Sequence, residues 1–328
     1  MGELTHPNNS GSCPHRMLRK NGALIMTDAS LVAVDWGTSS FRACTLSNQM
    51  EILNKISTDQ GILQCDGKFE DVLRDNLKGL KGFHGGLPVV LSGMITSRNG
   101  WVEVPYATLP TAAADLSSAA KQLALPDLGP LWFIPGIKAE GDEADVMRGE
   151  ETEILGAVSH FNLRDATMII PGTHSKHTII RDGAIQSFRT YLTGEMFSAL
   201  TKSTILGAFG STPCEAGCSW FEEGIRIGAQ QGGAGALLNR VFSARSRVLV
   251  DGMPQVHAAC YLSGLLIGAE LSEAIATSQD TLWILGNGRL PELYQRGFSV
   301  LGAPSKIVPH GSAVFGAAQV ARALNFIQ

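Results

Sequence analysis

Two short stretches of this chain repeat one pattern, and that repeat limits the fold more than any other feature. LVAVDWGTSSFRACTLS (residues 31–47) begins as an apolar strand, breaks at an acid and a glycine, scatters hydroxyls and becomes a strand again. MIIPGTHSKHTII (168–180) does the same and runs on through an RDG turn at 181–183 into a further strand. One such unit opening each half of a 328-residue chain predicts a duplicated, two-lobed α/β architecture divided near residue 160. With 44% hydrophobic residues the chain can supply a core to each lobe.

The remaining pattern alternates strand and helix periods. Strands are expected at 51–57, 88–93 and over LWFIPG (131–136), and helices at 69–80, 112–124 and 149–160. In the second half, helices are expected at 195–209, 219–238 and 256–276, then the strand TLWILG and a terminal helix over 312–326. The glycine cluster at 232–235 reads as a loop. Residues 1–25 show no periodicity and no apolar centre of a secretion signal, so they read as a disordered extension, with Met26 opening the fold.

Charge and cysteine usage remove several function classes. A net charge of -4 gives no chain-wide attraction to nucleic acid or anionic membrane, so any anion must be held locally. No run approaches 18 apolar residues, and six scattered cysteines in a chain this long read as reduced thiols. The expectation is a cytoplasmic protein with no nucleic-acid or membrane partner. His174 and His177 fall on opposite faces of a strand, and no Cys or His is read at zinc spacing, so zinc is not expected.

The two turns carry the chemistry. Gly37, Thr38 and Ser39 offer backbone N–H groups and hydroxyls at one point, and Asp35 ends the strand before them. That set suits a phosphate with its Mg²⁺, the carboxylate holding the metal directly or through water. An ordinary hairpin with a surface acid is the plain alternative. The second turn, Gly172, Thr173, His174, Ser175 and Lys176, adds a cation that can neutralise phosphate charge. Facing each other across a cleft, the two turns would grip a triphosphate from both sides. The chain has neither GxxxxGK[ST] nor GxGxxG, so neither a Walker loop nor a Rossmann fingerprint is present.

The ensemble resembles the actin-like (ribonuclease H-like) sugar kinase and heat-shock ATPase superfamily. DWGTSSFRA and IIPGTHSKHTII look like its two phosphate hairpins, LWILGNGRLPELYQRGF like its adenosine-binding strand, turn and helix, and GSAVFGAAQVARAL like its closing helix. Within it, SGMITSRNGWVEVPY (92–106), DVMRGEETEILGA (145–157), PGTHSKH, SFRTYLTGEMFSAL (187–200) and YLSGLLIGAE (261–270) are similar to the 2-dehydro-3-deoxygalactonokinase family. The resemblance implies ATP-dependent phosphorylation of 2-dehydro-3-deoxy-D-galactonate to its 6-phosphate, with Mg²⁺ and ATP in a cleft between lobes. A phosphohydrolase, or a kinase of another keto-deoxy sugar acid, is the alternative on the same fold. Residues 26–160 would hold the first hairpin and the sugar-acid site, and 161–328 the second hairpin and the adenosine site.

Phosphoryl transfer needs a carboxylate to orient or deprotonate the attacking alcohol. Glu150 and Glu151, in the first turn of a helix behind Gly149, are the first candidates; Glu150 is preferred, with Asp145 in reserve. Acids there also complement the helix dipole, which is their structural alternative. An anionic acceptor calls for an arginine: Arg98 leads, Trp101 could wall the site, and Arg148 and Arg189 are alternatives. The resemblance places Ser92, Gly93 and Met94 in the same pocket, and Gly286, Asn287 and Gly288 under the adenosine. Thr193 reads as a helix N-cap with Glu195 in the first turn. The apolar faces of 256–276 and 312–326 could form lobe core or a homodimer contact, with core preferred.

Overall fold

A computed structural model describes residues 28–210, 217–278, 280–286, 288–308 and 312–327. The first half runs β1 (Ala29–Trp36), β2 (Phe41–Ser47), β3 (Ile52–Thr58), α1 (Phe69–Lys78), β4 (Val89–Ser92), β5 (Ala107–Thr108), α2 (Ala113–Ala119), β6 (Lys121–Leu125), β7 (Gly129–Phe133), β8 (Ile137–Ala139), β9 (Asp145–Met147) and α3 (Glu150–His160). The second runs β10 (Ala166–Ile170), β11 (Ser175–Arg181), β12 (Ala184–Tyr191), α4 (Thr193–Ser203), α5 (Ser219–Gly228), α6 (Gly233–Val250), α7 (Ala258–Thr277), β13 (Leu282–Leu285), α8 (Arg289–Val300), β14 (Ser305–Val308) and α9 (Ser312–Ala323).

The two main sheets share one topology. The first has the order β3-β2-β1-β4-β7-β6 and the second β12-β11-β10-β13-β14. In each, three antiparallel strands joined by hairpins continue into two strands parallel to the first of them. This is the ribonuclease H-like arrangement, present twice. A small sheet, β5-β8-β9, is an addition to the first half that the strand periods do not reveal.

Alternation along β1 shows where the core lies. Val32, Val34 and Trp36 pack on the α1 side, whereas Leu31 and Ala33 face a second cluster. That cluster also holds Met168, Ile170, Ile180 and Leu285 from the other sheet, with residues of α3 and α9 between them. The two helices therefore lie between the sheets, and α9 packs on β1 and β4 as well as on α3. They cross without intervening side chains: a Cβ on Gly156 would lie 1.7 Å from the Ser312 carbonyl oxygen, and one on Gly316 1.8 Å from that of Thr152. The apolar faces of α7 and α9 are thus used inside the chain. α7 is long and apolar enough to cross a membrane, but 78% of its apolar window is buried as core.

Several expected elements are redrawn. The helix expected at 112–124 stops at Ala119, because 121–125 pair antiparallel with β7 across a turn closed by Gly129. The stretch 219–238 is two helices: the chain turns at Gly232, and the glycine cluster expected to be a loop instead opens α6, which runs to Val250. The RDG turn has Asp182 and Gly183 both at positive φ, the requirement of the two-residue hairpin. Cys260 is disulfide-bonded, against the expectation of six reduced thiols, since sequence separation says nothing of which sulfurs meet in space. Cys44, Cys65 and Cys218 are free. Residues 1–25 lie outside the described residues.

Candidate active site

The first hairpin is held open by what lies under it. Gly37 N–H donates to the Ser40 carbonyl at 2.9 Å, and the Gly37 and Thr38 carbonyls accept from Ile62 and Leu63 at 3.0 and 3.2 Å. Thr38 and Ser39 are left exposed at the tip. The turn sets the register, and Asp35 stands opposite Arg42, whose guanidinium donates to Asp35 Oδ2 at 2.9 Å. Sequence reasoning missed Arg42, although a four-residue turn between positions 36 and 41 implies the pairing.

Gly93 joins this hairpin to the helix that follows the first lobe. It ends β4 at a φ of +92°, and a Cβ there would lie 2.8 Å from the Trp36 carbonyl oxygen and 3.3 Å from Asp35 Oδ1. Gly149, at φ +112°, abuts Gly93 in turn, a Cβ on it falling 3.3 Å from Gly93 Cα. Both positive φ values and the close approach demand glycine. The carboxylate of β1, the turn after β4 and the start of α3 are therefore brought to one place.

At that helix start the acids divide. Glu150 is half-buried and its Oε2 accepts from Arg148 N–H at 3.1 Å. Glu151 is fully buried, with Oε2 accepting from Gly149 N–H at 2.7 Å. Burial, and then the neighbouring Glu150 charge, push its carboxyl up to about 8. Glu153, absent from the sequence reading, is raised to about 7 by burial, then by the charges of Asp35 and Glu150. It sits one turn on from Glu150, on the same helix face, and that spacing could have exposed it. Asp145 is engaged elsewhere: Oδ2 accepts from Thr190 N–H and Oδ1 from Thr190 Oγ1, both at 2.7 Å, tying β9 to the second lobe.

The sugar-acid candidates also separate. Arg148 Nη1 donates to the Thr96 carbonyl and hydroxyl at 2.8 and 2.6 Å, and Nη2 to the Val104 carbonyl at 3.1 Å; the guanidinium lies 4.2 Å from the Tyr106 ring centre. It thus holds the 92–106 loop in shape. Its Nε is buried with no partner among the described residues. Ser92 Oγ donates to the Val34 carbonyl at 3.3 Å, Met94 packs on the first-lobe core, and Trp101 meets Phe133 edge-on at 5.5 Å. Arg98 is exposed and makes no ion pair among the described residues. Arg189 pairs with Glu143 at 2.7 Å.

The second hairpin rests on α4 and α7. A Cβ on Gly194 would lie 2.4 Å from the Gly172 carbonyl oxygen, and Glu195 N–H donates to the Thr173 carbonyl at 2.9 Å. Leu192, not Thr193, holds the N-cap position of α4, and no side chain caps it; Thr193 already lies within the helix. The exposed His174 pairs with Glu195 at 2.7 Å. Ser175 and His177, on one face of β11, both reach the buried Glu270 of α7, at 2.6 and 2.8 Å, and Tyr294 OH of α8 donates to the same carboxylate at 2.6 Å. Alternation turns the buried Lys176 to the opposite face, toward α3 and α9, where it stands in register with Thr190. It makes no hydrogen bond or ion pair among the described residues.

Gly286 and Gly288, at φ +141° and +70°, turn the chain from β13 into α8; Asn287 lies outside the described residues. Between this helix start and the second hairpin is a cavity of about 90 Å³ lined by Gly172, Gly194, Leu290 and Tyr294. A larger cavity of about 820 Å³ shares Thr193 and Leu266 with it and lies among α4, α6 and α7, with Glu270 and Glu273 in its wall and none of the α3 acids. Size alone therefore does not mark the reacting centre.

Three comparisons bear on this arrangement. The profile of the family described as 2-keto-3-deoxy-galactonokinase matches residues 35–320. A candidate 2-dehydro-3-deoxygalactonokinase of Rhizobium meliloti is 32% identical over 300 residues, covering 89% of this chain and 96% of its own. The 2-dehydro-3-deoxygalactonokinase of Escherichia coli is 31% identical over 280 residues, covering 84% and 91%. Among solved structures, that of a candidate 2-dehydro-3-deoxygalactonokinase from Sinorhizobium meliloti superposes with a TM-score of 0.81 at 32% identity, covering 90% of this chain and 99% of that one.

Proposed function

The chain belongs to the 2-keto-3-deoxy-galactonokinase family, and from that membership we infer that it transfers a phosphoryl group from ATP to 2-dehydro-3-deoxy-D-galactonate. The acceptor atom we assign is the 6-hydroxyl, and the setting the cytoplasm, where ATP is supplied. The observation that carries the assignment of roles is the meeting of Asp35, Gly93 and Glu150 at the junction of β1, β4 and α3.

In the proposed division of labour, the first lobe with the 92–106 loop takes the sugar acid, and the second takes the adenosine beside Gly286 and Gly288. The exposed hydroxyls of Thr38 and Ser39 and the turn from Gly172 to Ser175 hold phosphate oxygens. Lys176, which makes no ion pair among the described residues, brings a cation from the opposite lobe to neutralise charge that grows on the transferring group. Arg98 is the group assigned to the acceptor's carboxylate, because Arg148 is engaged with its own loop, Arg42 with Asp35 and Arg189 with Glu143.

Burial, and then the charges of Asp35 and Glu150, raise Glu153 to about 7, and the three carboxyl groups together are a donor set that fits a hard divalent cation. When bound with ATP, Mg²⁺ would shield phosphate charge there, with Asp35 as its holder. Glu150 then has the task of orienting the acceptor hydroxyl and taking its proton, being the acid of α3 that is neither buried away nor tied to the other lobe. The decisive experiment is a coupled ADP-release assay with Mg·ATP against 2-dehydro-3-deoxygalactonate, its gluconate epimer and plain hexoses. Strong preference for the galactonate compound is expected; equal ADP release without any acceptor would replace the kinase by a hydrolase.

A further inference from the structure

We propose that Cys218, His257 and Cys260 form a soft-metal site, of the zinc class, in the reduced chain. The three residues come from two separated segments, yet their ligand atoms all lie within 4.8 Å of one another. Cys218 Sγ is 3.5 Å from His257 Nδ1. Zinc–sulfur and zinc–nitrogen bonds of about 2.3 and 2.05 Å give a tetrahedron an S···N edge of about 3.6 Å, so the sulfur and nitrogen already stand at ligand spacing. Zinc is not expected from the sequence, where His174 and His177 diverge and no Cys or His is read at zinc spacing; Cys218 lies 39 residues before His257, and only the fold brings them together.

The fold explains why the three meet. Cys218 is the N-cap of α5, His257 the N-cap of α7, and Cys260 stands in the first turn of α7. The two helices pack in parallel through glycines: Cβ atoms on Gly224 and Gly228 would fall 2.3 and 2.1 Å from the Tyr261 and Leu265 carbonyl oxygens, and those on Gly264 and Gly268 2.2 and 2.3 Å from Phe221 and Ile225. Contacts that advance together along both helices put both N-termini at one end. Two electropositive helix ends thus face the sulfurs, an environment that favours anionic ligands. Two thiolates and an imidazole select zinc or a similarly soft ion over magnesium, and leave a fourth position for water or another donor. The site is remote in role from the kinase chemistry: it pins the start of α5 to the start of α7, the helix that carries Glu270 further along.

Cys260 is disulfide-bonded in this structure, so metal and disulfide are alternative states of one sulfur. A dithiol supplies the two electrons that open the disulfide. Binding then releases two protons, one from each thiol, as the metal takes two thiolates and a neutral imidazole.

The test uses full-length protein kept in a dithiol, loaded with Zn²⁺ and desalted, with metal and protein quantified together. One zinc per chain is expected, falling at least tenfold in Cys218→Ser and in His257→Gln. Titration with Co²⁺ should give a thiolate-to-cobalt charge-transfer band in the parent and none in Cys218→Ser. Both variants should keep acceptor-dependent ADP release, which shows that they fold. Absence of bound metal and of the cobalt band in the reduced parent would overturn the proposal, as would equal metal content in parent and variants.

Discussion

Glu151→Gln isolates the energetic consequence of placing a carboxyl wholly inside the start of α3. The side chain is 0% exposed, and burial with the neighbouring Glu150 charge raises it from an ordinary 4.5 to about 8. Between those values the folded chain holds a proton that the unfolded chain has released. Stability therefore falls as pH rises through this window, by at most about 1.4 kcal/mol per pH unit. From pH 4.5 to 7 this amounts to about 3 kcal/mol, and to about 4 kcal/mol by pH 8, levelling off about one pH unit higher. Glutamine keeps an oxygen for the Gly149 N–H and an amide for the Thr152 hydroxyl, but has no proton to lose. The variant should thus match the parent near pH 4.5 and exceed it progressively toward pH 8. Urea unfolding of both proteins at each pH gives the difference, in which titrating groups remote from Glu151 cancel and only its coupled neighbour Glu150 adds to it. A parent-minus-variant difference that stays flat from pH 5 to 8 would refute the reasoning and leave Glu151 ionised within the fold.

Other perturbations address the site and the crossing of α3 with α9. Glu150→Gln should lower kcat by about 10²–10⁴ with little change in KM for the sugar acid; near-normal turnover moves the base to Glu153, since Glu151 is enclosed and Asp145 is bound to Thr190. Asp35→Asn should raise KM for Mg·ATP and make turnover depend on a higher magnesium concentration, read from a titration of the metal at fixed ATP. Gly156→Ala forces a methyl to within 1.7 Å of the Ser312 carbonyl oxygen, so thermal unfolding should register a loss of about 1–3 kcal/mol. An unchanged Tm would mean that the two helices can separate without loss.

Local chemistry made much of this legible in the sequence. The turn at Gly37 and its echo at Gly172 required only strand periods and hydroxyls, and Asp182–Gly183 announced a tight hairpin by composition alone. The GEE run located a helix start at the exit of the first lobe because glycine and acids belong there. What stayed hidden depends on side-chain destinations. Glu150 and Glu151 differ by about 100° around the helix, and only packing decides that one is enclosed and the other stays at the surface. Asp145 is drawn to Thr190 across a gap of 45 residues, and Arg148 to Thr96 across 52, contacts that no local pattern records. The break between α5 and α6 was only partly legible: the glycine cluster reads as a loop, whereas the chain turns at Gly232 and the following glycines already belong to α6.

The placement of α9 bears on how the chain is made. The sheet β3-β2-β1-β4-β7-β6 is complete once residue 133 has emerged, but the helix that covers Leu31, Ala33 and Val90 comes from residues 312–323. At about 5–20 residues per second, synthesis leaves that sheet face without its cover for roughly 10–40 s. The second sheet closes only with β14, by which point α3 to α8 have already been made and α9 is about to follow, so its faces wait for far less. The half begun first is therefore finished last, and its bare apolar face is the surface a ribosome-associated chaperone would meet.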